Sequence, residues 1–187
     1  MEKLELKGDA RVSGKKGASR KLRAAGMIPV TCYGRNVEAF SASVNPEALA
    51  KILSTDFGPN IVFDFVVGDV RHAVMVKSLQ RDPVSRRFLH ADFYVVDADR
   101  KVTVHVPLEL VGKSVGVGKG GSLRKAAREV VVSCLPKDIP VVVTFDVSPL
   151  DLKDRAQISS VPVVAGCEYV YDSDFLVAEI IPPRSSN

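Results

Sequence analysis

Short β-rich segments recur along the whole chain, separated by turns that contain glycine, proline or aspartate. Gly68 and Asp69, for example, separate two such segments, and a pair of this kind is typical of a tight hairpin turn. The pattern predicts a protein that is mainly β, with a few short helices. The predicted strands span residues 4–12 with a break at Gly8, 30–33, 39–44, 61–67, 72–77, 88–96, 102–111, 129–134, 141–147 and 175–181.

Two stretches carry the signals of short helices. Residues 18–25 have a helix-forming composition and precede Gly26, a residue type that commonly ends a helix. The second helix begins at Asn45 and Pro46, because asparagine caps a helix and proline fits its first turn, and it extends to about Leu53. The first helix is mostly basic, so it needs the rest of the fold or a ligand to hold it.

The polar segment 97–101 marks a boundary between two domains. It contains no apolar residue larger than alanine, and prolines punctuate the strands that follow it. We therefore expect one domain over residues 1–97, a second over residues 98–182 and a disordered tail over residues 183–187. The spacing of the strands in the second domain predicts a sandwich or a meander.

The excess positive charge lies in the first half of the chain. Residues 1–101 hold 17 of the 26 Lys and Arg and 12 of the 22 Asp and Glu, so this half carries +5 and the remainder −1. The window 11–35 contains seven basic residues and no acid. A surface that binds a polyanion needs such unneutralised charge, because each phosphate contacted releases counterions. The window is consistent with nucleic-acid binding, and equally with a solvated basic surface.

Composition excludes several classes of protein. No apolar run approaches the roughly 20 residues that a membrane helix needs, and the N-terminal segment lacks the apolar core of a signal peptide. The three cysteines are widely spaced in sequence, which argues against a disulfide scaffold and against a CxxC site. Neither an HExxH motif nor a paired His and Cys ligand set is present. We therefore expect a cytoplasmic protein without a metal, a membrane or a small-molecule substrate.

A glycine-rich segment between Gly116 and Gly121 formally matches the GxGxxG motif of nicotinamide-binding proteins. That site also requires a long apolar helix after the loop and an acid at the end of the next strand. Residues 123–128 could form a helix, but it would be short and basic, and the strand ending at Cys134 leads into Leu-Pro-Lys. We therefore expect a flexible loop, with a nucleotide-dependent enzyme as a competing hypothesis. A P-loop is excluded because Pro107 occupies the position of its first glycine.

His90 is the histidine with the best candidate partner. Strand alternation places His90, Asp92 and Tyr94 on one face, and a neighbouring carboxylate can orient an imidazole. The pair could belong to a hydrolytic site, but no candidate nucleophile is visible. Hydrogen bonding to RNA base edges or 2′-hydroxyls requires no further residue.

Several blocks of the chain, taken in order, resemble the bacterial large-subunit ribosomal protein L-twenty-five. In the first half these blocks read GASRKLR at 17–23, IP at 28–29, YG at 33–34, LQRDP at 79–83 and LHADF at 89–93. The second half is similar to the long form of that family, the general-stress-protein CTC subfamily. There the blocks read VPL at 106–108, GG at 120–121, CLP at 134–136 and DIP at 138–140. The resemblance covers nearly the whole chain.

The resemblance implies a non-enzymatic structural protein that binds 5S rRNA at an irregular internal loop, in the central protuberance of the large subunit. It implies a small N-terminal β-barrel domain with a few helices and a C-terminal β-rich domain that the core RNA contact does not need. The implied partners are 5S rRNA and other large-subunit components, and no cofactor is implied. The residues that match the family's RNA contacts are Arg11, Lys16, Ser19, Arg20, Arg23, Tyr33, Gln80, His90 and Asp92.

Two positions depart from the family's pattern. Asp82 stands where the family commonly has histidine, which puts the neighbouring contact of Gln80 in question, and Cys32 replaces a more usual aliphatic residue. Tyr33 has an alternative role as a core aromatic near a strand end. The alternative function is a general nucleic-acid or stress-associated binding protein without 5S specificity.

Overall fold

The structure is a computed structural model that describes residues 4–11 and 16–183, with Lys16 described by its backbone alone. Two compact units divide the chain, Met1–Arg100 and Lys101–Asn187. Of the tail expected to be disordered, residues 184–187 lie outside the described residues. Helices within the described ranges are all too short or too polar to cross a membrane.

The first unit combines six strands with two α-helices in the residues described. The strand predicted at 72–77 is longer than expected, because Ser78 and Gln80 point outward and interrupt the apolar signal while the backbone goes on pairing. In chain order the elements are β1 (Glu5–Arg11), α1 (Lys16–Ala24), β2 (Ile28–Tyr33), β3 (Phe40–Val44), α2 (Pro46–Leu53), β4 (Val62–Val67), β5 (Val70–Arg81) and β6 (Phe88–Val95).

The six strands close into a barrel in the order β1-β3-β2-β6-β5-β4. The pairs β1–β4 and β2–β6 are parallel, and the other four pairs are antiparallel. Closure removes the free sheet edges that would otherwise present unpaired backbone groups. The mainly β fold, with a small N-terminal barrel, is confirmed.

Alternation along each strand separates the barrel core from its outer face. On β6, Ala91 and Phe93 are fully buried, whereas His90 and Asp92 are half-buried on the opposite side. Phe93 contacts Phe63 and Phe65 edge to face, with ring centroids 5.5 and 5.0 Å apart. Since these aromatic rings fill the interior, polar side chains on the same strands point outward.

Strand β1 runs through Gly8 without the predicted break. A Cβ atom at this position would lie 2.7 Å from Cε2 of Phe65 and 3.1 Å from the carbonyl oxygen of Ser43. Glycine therefore marks a close approach between the backbone and a core ring, and the prediction of a break was wrong.

Helix α2 begins as its sequence predicts. The side-chain oxygen of Asn45 accepts hydrogen bonds from the backbone N–H groups of Glu47 and Ala48, at 2.7 and 3.4 Å. These bonds satisfy donors that would otherwise be left free at the helix start. Leu49 and Ile52 then join the buried core of the barrel.

The second unit consists of seven strands and one short α-helix in its described residues. In chain order the elements are β7 (Val102–Val111), α3 (Val115–Gly118), β8 (Ser122–Lys125), β9 (Glu129–Cys134), β10 (Val143–Asp146), β11 (Arg155–Gln157), β12 (Cys167–Tyr169) and β13 (Leu176–Ile181). The strands form two sheets, one in the order β10-β7-β9-β12 and one in the order β11-β13-β8. Neighbours in these sheets are not successive in the chain, so a meander is excluded. The three-residue strands β11 and β12 were missed by the sequence prediction.

The glycine-rich segment is ordered, so the expectation of a flexible loop was wrong. It forms α3, whose first turn is capped by the Ser114 hydroxyl, and the stretch that could have been helical is strand β8. A Cβ at Gly116 would lie 2.8 Å from Ile180, and one at Gly121 would lie 2.7 Å from Leu152. Gly116 and Gly121 thus allow close packing. A strand follows them where a dinucleotide site needs a long helix, which excludes that site.

Two of the widely spaced cysteines are neighbours in space. Cys134 on β9 and Cys167 on β12 are direct partners across the sheet, and both are free thiols. Burial raises the pKa of Cys134 to about 12, so its thiol stays protonated and packs as a small apolar group.

Candidate nucleic-acid interface

Helix α1 presents basic side chains on the surface of the first unit. Arg20 and Arg23 are exposed, and Ser19 is half-buried. Arg11, at the end of β1, donates a long hydrogen bond of 3.5 Å from Nη2 to Oγ of Ser19. The predicted contacts Arg11 and Ser19 therefore meet, although they come from different elements. The side chain of Lys16 lies outside the described residues.

Two polar contacts join three outward-facing side chains of β2 and β6. Nδ1 of His90 lies 3.3 Å from Oδ1 of Asp92, and Nε2 lies 3.4 Å from Oγ1 of Thr31. An ionised carboxylate attracts a ring nitrogen that carries a proton, so the contact with Asp92 favours a proton on Nδ1. The other ring nitrogen, Nε2, hydrogen-bonds to the Thr31 hydroxyl. The imidazole is thus held between Asp92 and Thr31.

Tyr33 belongs to the same surface. It is half-buried on the outer side of β2 and contacts Tyr94 edge to face, with ring centroids 5.9 Å apart. Burial raises the pKa of the Tyr33 hydroxyl, and the negative charge of Asp92 raises it further. The hydroxyl stays protonated and can donate a hydrogen bond. A purely core role for Tyr33 is excluded by its position on the outer side.

Side chains of strand β5 extend this surface beside those of β2 and β6. Gln80 is exposed and lies opposite His90 in the β5–β6 register, and Ser78 lies opposite Asp92. The outer sides of three adjacent strands, β5, β6 and β2, thus form one continuous polar face. We call this surface the polar face; its members are Thr31, Tyr33, Ser78, Gln80, His90, Asp92 and Tyr94.

Arg23 connects α1 to the polar face. Its Nη1 donates a 3.4 Å hydrogen bond to the backbone carbonyl of Leu89, the residue before His90. The end of the basic helix therefore lies beside the start of β6. Arg20 makes no hydrogen bond or ion pair within the part of the chain that the structure describes, which leaves its guanidinium available to a ligand.

Sequence reasoning placed Tyr94 on the face of His90 and Asp92 but missed Thr31 and Ser78. These two residues each lie two positions from a predicted contact on the same strand, so strict alternation would have identified them. The hydrogen bond between Thr31 and His90 had no sequence signal, because 59 residues separate them and only the parallel pairing of β2 with β6 brings them together.

Asp82 is committed to the turn between β5 and β6. Its Oδ1 accepts hydrogen bonds from the backbone N–H groups of Val84 and Ser85, at 3.0 and 2.7 Å. These bonds, the one to Ser85 foremost, lower the pKa of the carboxyl. Asp82, which stands where the family commonly has histidine, therefore stabilises the turn. It lies two residues after Gln80.

Cys32 points into the barrel and is fully buried. Burial raises the pKa of its thiol to about 11, and the neutral side chain takes the place of an aliphatic residue in the core. Among the described residues, there is no group of three or more His, Cys, Asp and Glu side chains that could hold a metal ion.

Comparisons with known families match both units. The Ribosomal L25p family model matches residues 6–93, and the model of the C-terminal domain of ribosomal protein TL5 matches residues 101–184. The first match spans the barrel with α1 and the polar face up to Phe93, and the second spans the strands of the other unit.

Individual relatives are similar over almost the entire chain. The large ribosomal subunit protein bL25 of Bacillus licheniformis is 34% identical over 96% of this chain and 86% of its own length. The protein of the same name from Desulfatibacillum aliphaticivorans is 36% identical over 100% of this chain and 86% of its own. That of Halothermothrix orenii is 35% identical, with 100% and 85% covered.

Proposed function

The chain belongs to the ribosomal L25p family, a family of structural ribosomal proteins and not of enzymes, and we propose that it is a constituent of the large ribosomal subunit that binds 5S rRNA. Its target is an irregular internal loop of that RNA in the central protuberance. Other large-subunit components are its further partners, and it acts on cytoplasmic ribosomes.

The observation that carries this proposal is the meeting of the acid-free helix α1 with the polar face. Base edges in the deep, narrow major groove of a regular RNA helix are out of reach of side chains, so proteins read irregular loops and 2′-hydroxyls. The polar face offers hydrogen-bond donors and acceptors for that purpose. The hydrogen bond from Arg23 to Leu89 places cationic groups at its border.

The two sets of residues have different tasks. Arg11, Lys16, Arg20 and Arg23 contact phosphates and position the protein, while Ser19 supports Arg11. Tyr33, Gln80, His90 and Asp92 provide the hydrogen bonds that discriminate between RNAs. Asp92 repels phosphate, so its contribution is to orient His90 and to accept a hydrogen bond from a 2′-hydroxyl or a base amino group.

The first unit carries the RNA contacts, so residues 1–97 are expected to bind 5S rRNA nearly as tightly as the whole chain. All six barrel strands end before residue 97, and the near-neutral second unit offers little charge for RNA. Loss of binding on this truncation, with the barrel still folded, would move the contact into the second unit.

A titration of the full-length protein with 5S rRNA in excess tRNA tests the proposal. We expect a complex that survives the competitor, with log affinity falling against log salt at a slope of about −3 for four phosphate contacts. A complex that tRNA dissolves would favour the general nucleic-acid binder without 5S specificity.

Two substitutions separate the two tasks. Arg20→Ala is expected to weaken binding to 5S rRNA and tRNA alike and to reduce the salt slope by about 0.7–0.9, whereas Lys51→Ala on α2 serves as the charge-matched control. Asp92→Ala removes a negative charge, so tRNA binding stays equal or strengthens while 5S binding weakens. Equal losses on both RNAs for Asp92→Ala would contradict this division.

A further inference from the structure

A groove of about 830 Å³ lies between the end of α1, the start of α2 and the turn that joins β5 to β6. Three arginines line it, namely Arg23, Arg86 and Arg87, together with one acid, Glu47. Over the described ranges, no carboxylate comes within 4 Å of any of these three guanidinium groups. The groove therefore carries a net positive charge, which Glu47 in its lining and the carboxylate of Asp82, acting on Arg87, offset only in part.

The rest of the lining is largely apolar. It includes Ile28, which is buried, and Met27 and Phe88, which are half-buried. The guanidinium carbon of Arg81 lies 4.8 Å from the centroid of the Phe88 ring, so a cation packs on this aromatic group. An aromatic ring among aliphatic side chains, bordered by arginines, is the composition of a surface that stacks a nucleic-acid base.

The turn holds one of these arginines in an unusual conformation. Arg86 has φ of +60°, in the left-handed region that favours glycine or asparagine. Its backbone N–H donates to the carbonyl of Asp82 at 2.9 Å, and the N–H of Asp82 donates to the carbonyl of Arg87 at 2.9 Å. Arg86 and Arg87 of this turn both line the groove, and the positive φ of Arg86 has a cost in backbone energy.

We propose that this groove receives one unstacked nucleotide of the bound RNA, with its base against Phe88 and its phosphate between the arginines. The inference rests on the proposed function and adds a second recognition element to the polar face. Arg23 belongs to both, since it lines the groove and donates to Leu89 beside His90. The volume lies within the range of about 300–1,000 Å³ of small-ligand sites.

The test uses the full-length protein and 5S rRNA with tRNA as competitor. Arg86→Gly removes the guanidinium group, and glycine adopts the positive φ of this position without strain. The turn should therefore stay folded, so a loss of binding reports the loss of the guanidinium group. Phe88→Leu keeps an apolar side chain and removes the aromatic face. Lys113→Gln, an exposed charge loss in the second unit, is the control for net charge.

We expect Arg86→Gly and Phe88→Leu each to weaken 5S binding about tenfold relative to Lys113→Gln. In a dimethyl sulfate and kethoxal footprint, Phe88→Leu should restore reactivity of a base that the unsubstituted protein shields, while the hydroxyl-radical footprint of the backbone stays the same. This pattern supports the groove as a nucleotide site.

Three results would overturn the proposal. In the first, both variants bind and protect RNA like the control, while the unsubstituted protein keeps 5S rRNA bound in the presence of tRNA. The groove is then not a nucleotide-binding site, and the proposed function stands. If only Arg86→Gly weakens binding and no base becomes reactive in Phe88→Leu, the groove contacts phosphate alone. If tRNA displaces the unsubstituted protein, the proposed function fails and this inference fails with it.

Discussion

Gly8→Ala is expected to destabilise the barrel, although the same substitution usually stabilises a strand. The added Cβ would lie 2.7 and 2.8 Å from two carbons of the Phe65 ring and 3.1 Å from the Ser43 carbonyl oxygen. Phe65 is fully buried and packs edge to face on Phe93, so its ring has no free space to turn away. Either β1 or the aromatic core must move.

Two opposing effects set the magnitude. Forcing an extra carbon into a packed core costs about 1–3 kcal/mol. Alanine also restricts the unfolded chain, which stabilises the folded state by about 0.4–1 kcal/mol at a compatible backbone position. The overlap is severe, so packing outweighs the entropy. The net loss in the free energy of unfolding should be about 1–2 kcal/mol.

Amide hydrogen exchange of the full-length protein measures this change within the barrel. A single denaturation curve is less suitable, because the chain has two compact units and two-state behaviour does not hold for it. A loss of about 1–2 kcal/mol corresponds to exchange about 5–30 times faster at amides of β1 and β4 that open with the barrel.

Gly17→Ala is the matched control for this measurement. Gly17 lies in α1, and outside this helix no atom of the described residues stands within 4 Å of the position of its Cβ. Alanine there should leave barrel exchange unchanged or slow it, because a helix favours alanine over glycine by about 0.8–1.0 kcal/mol. Unchanged or slower exchange in Gly8→Ala would show that the contact with Phe65 does not govern this position.

Three further outcomes are expected. Asn45→Ala removes the cap of α2 and should lower the free energy of unfolding of the barrel by about 1 kcal/mol, measured by the same exchange method; Asn45→Ser should recover most of it. Cys32→Val should leave amide exchange in the barrel nearly unchanged, whereas Cys32→Ser buries a hydroxyl and should accelerate that exchange; equal effects would contradict burial of this thiol. The carboxyl of Asp82 has a lowered pKa, so its contribution is present above the unfolded pKa of about 3.9 and is lost as pH falls through the lower folded pKa. The amide shifts of Val84 and Ser85 should therefore titrate with a midpoint below about 3.9, and a midpoint at or above that value would exclude the turn hydrogen bonds.

Local signals in the sequence correctly predicted helix ends and turns where a single residue type determines the backbone conformation. Asn45 and Pro46 determine the start of α2, and Gly26, with φ of +80°, ends α1 as predicted. Gly68 has φ of +60° in the hairpin between β4 and β5. Each of these features depends on capping or turn geometry within a few residues, which a sequence displays directly.

The pairing of strands that lie far apart in the chain could not be predicted from such local signals. The residues of β11 and β12 form strands because β13 and β9 lie beside them, and each has three residues, too few to show a period. The glycine-rich segment matched a loop motif by spacing. In the structure, however, Gly116 and Gly121 pack against Ile180 and Leu152, which lie far along the chain.

The candidate site likewise contains some features that local sequence signals predict and others that depend on strand pairing. The acid-free basic window, the shared face of His90 and Asp92, and the mainly β character are visible in the sequence, since charge and alternation are local properties. The contact of Thr31 with His90, the position of Gln80 opposite His90, and the hydrogen bond of Arg23 to Leu89 depend on the folded barrel. Closing a barrel brings strands together across tens of residues, and that register is a property of the whole unit.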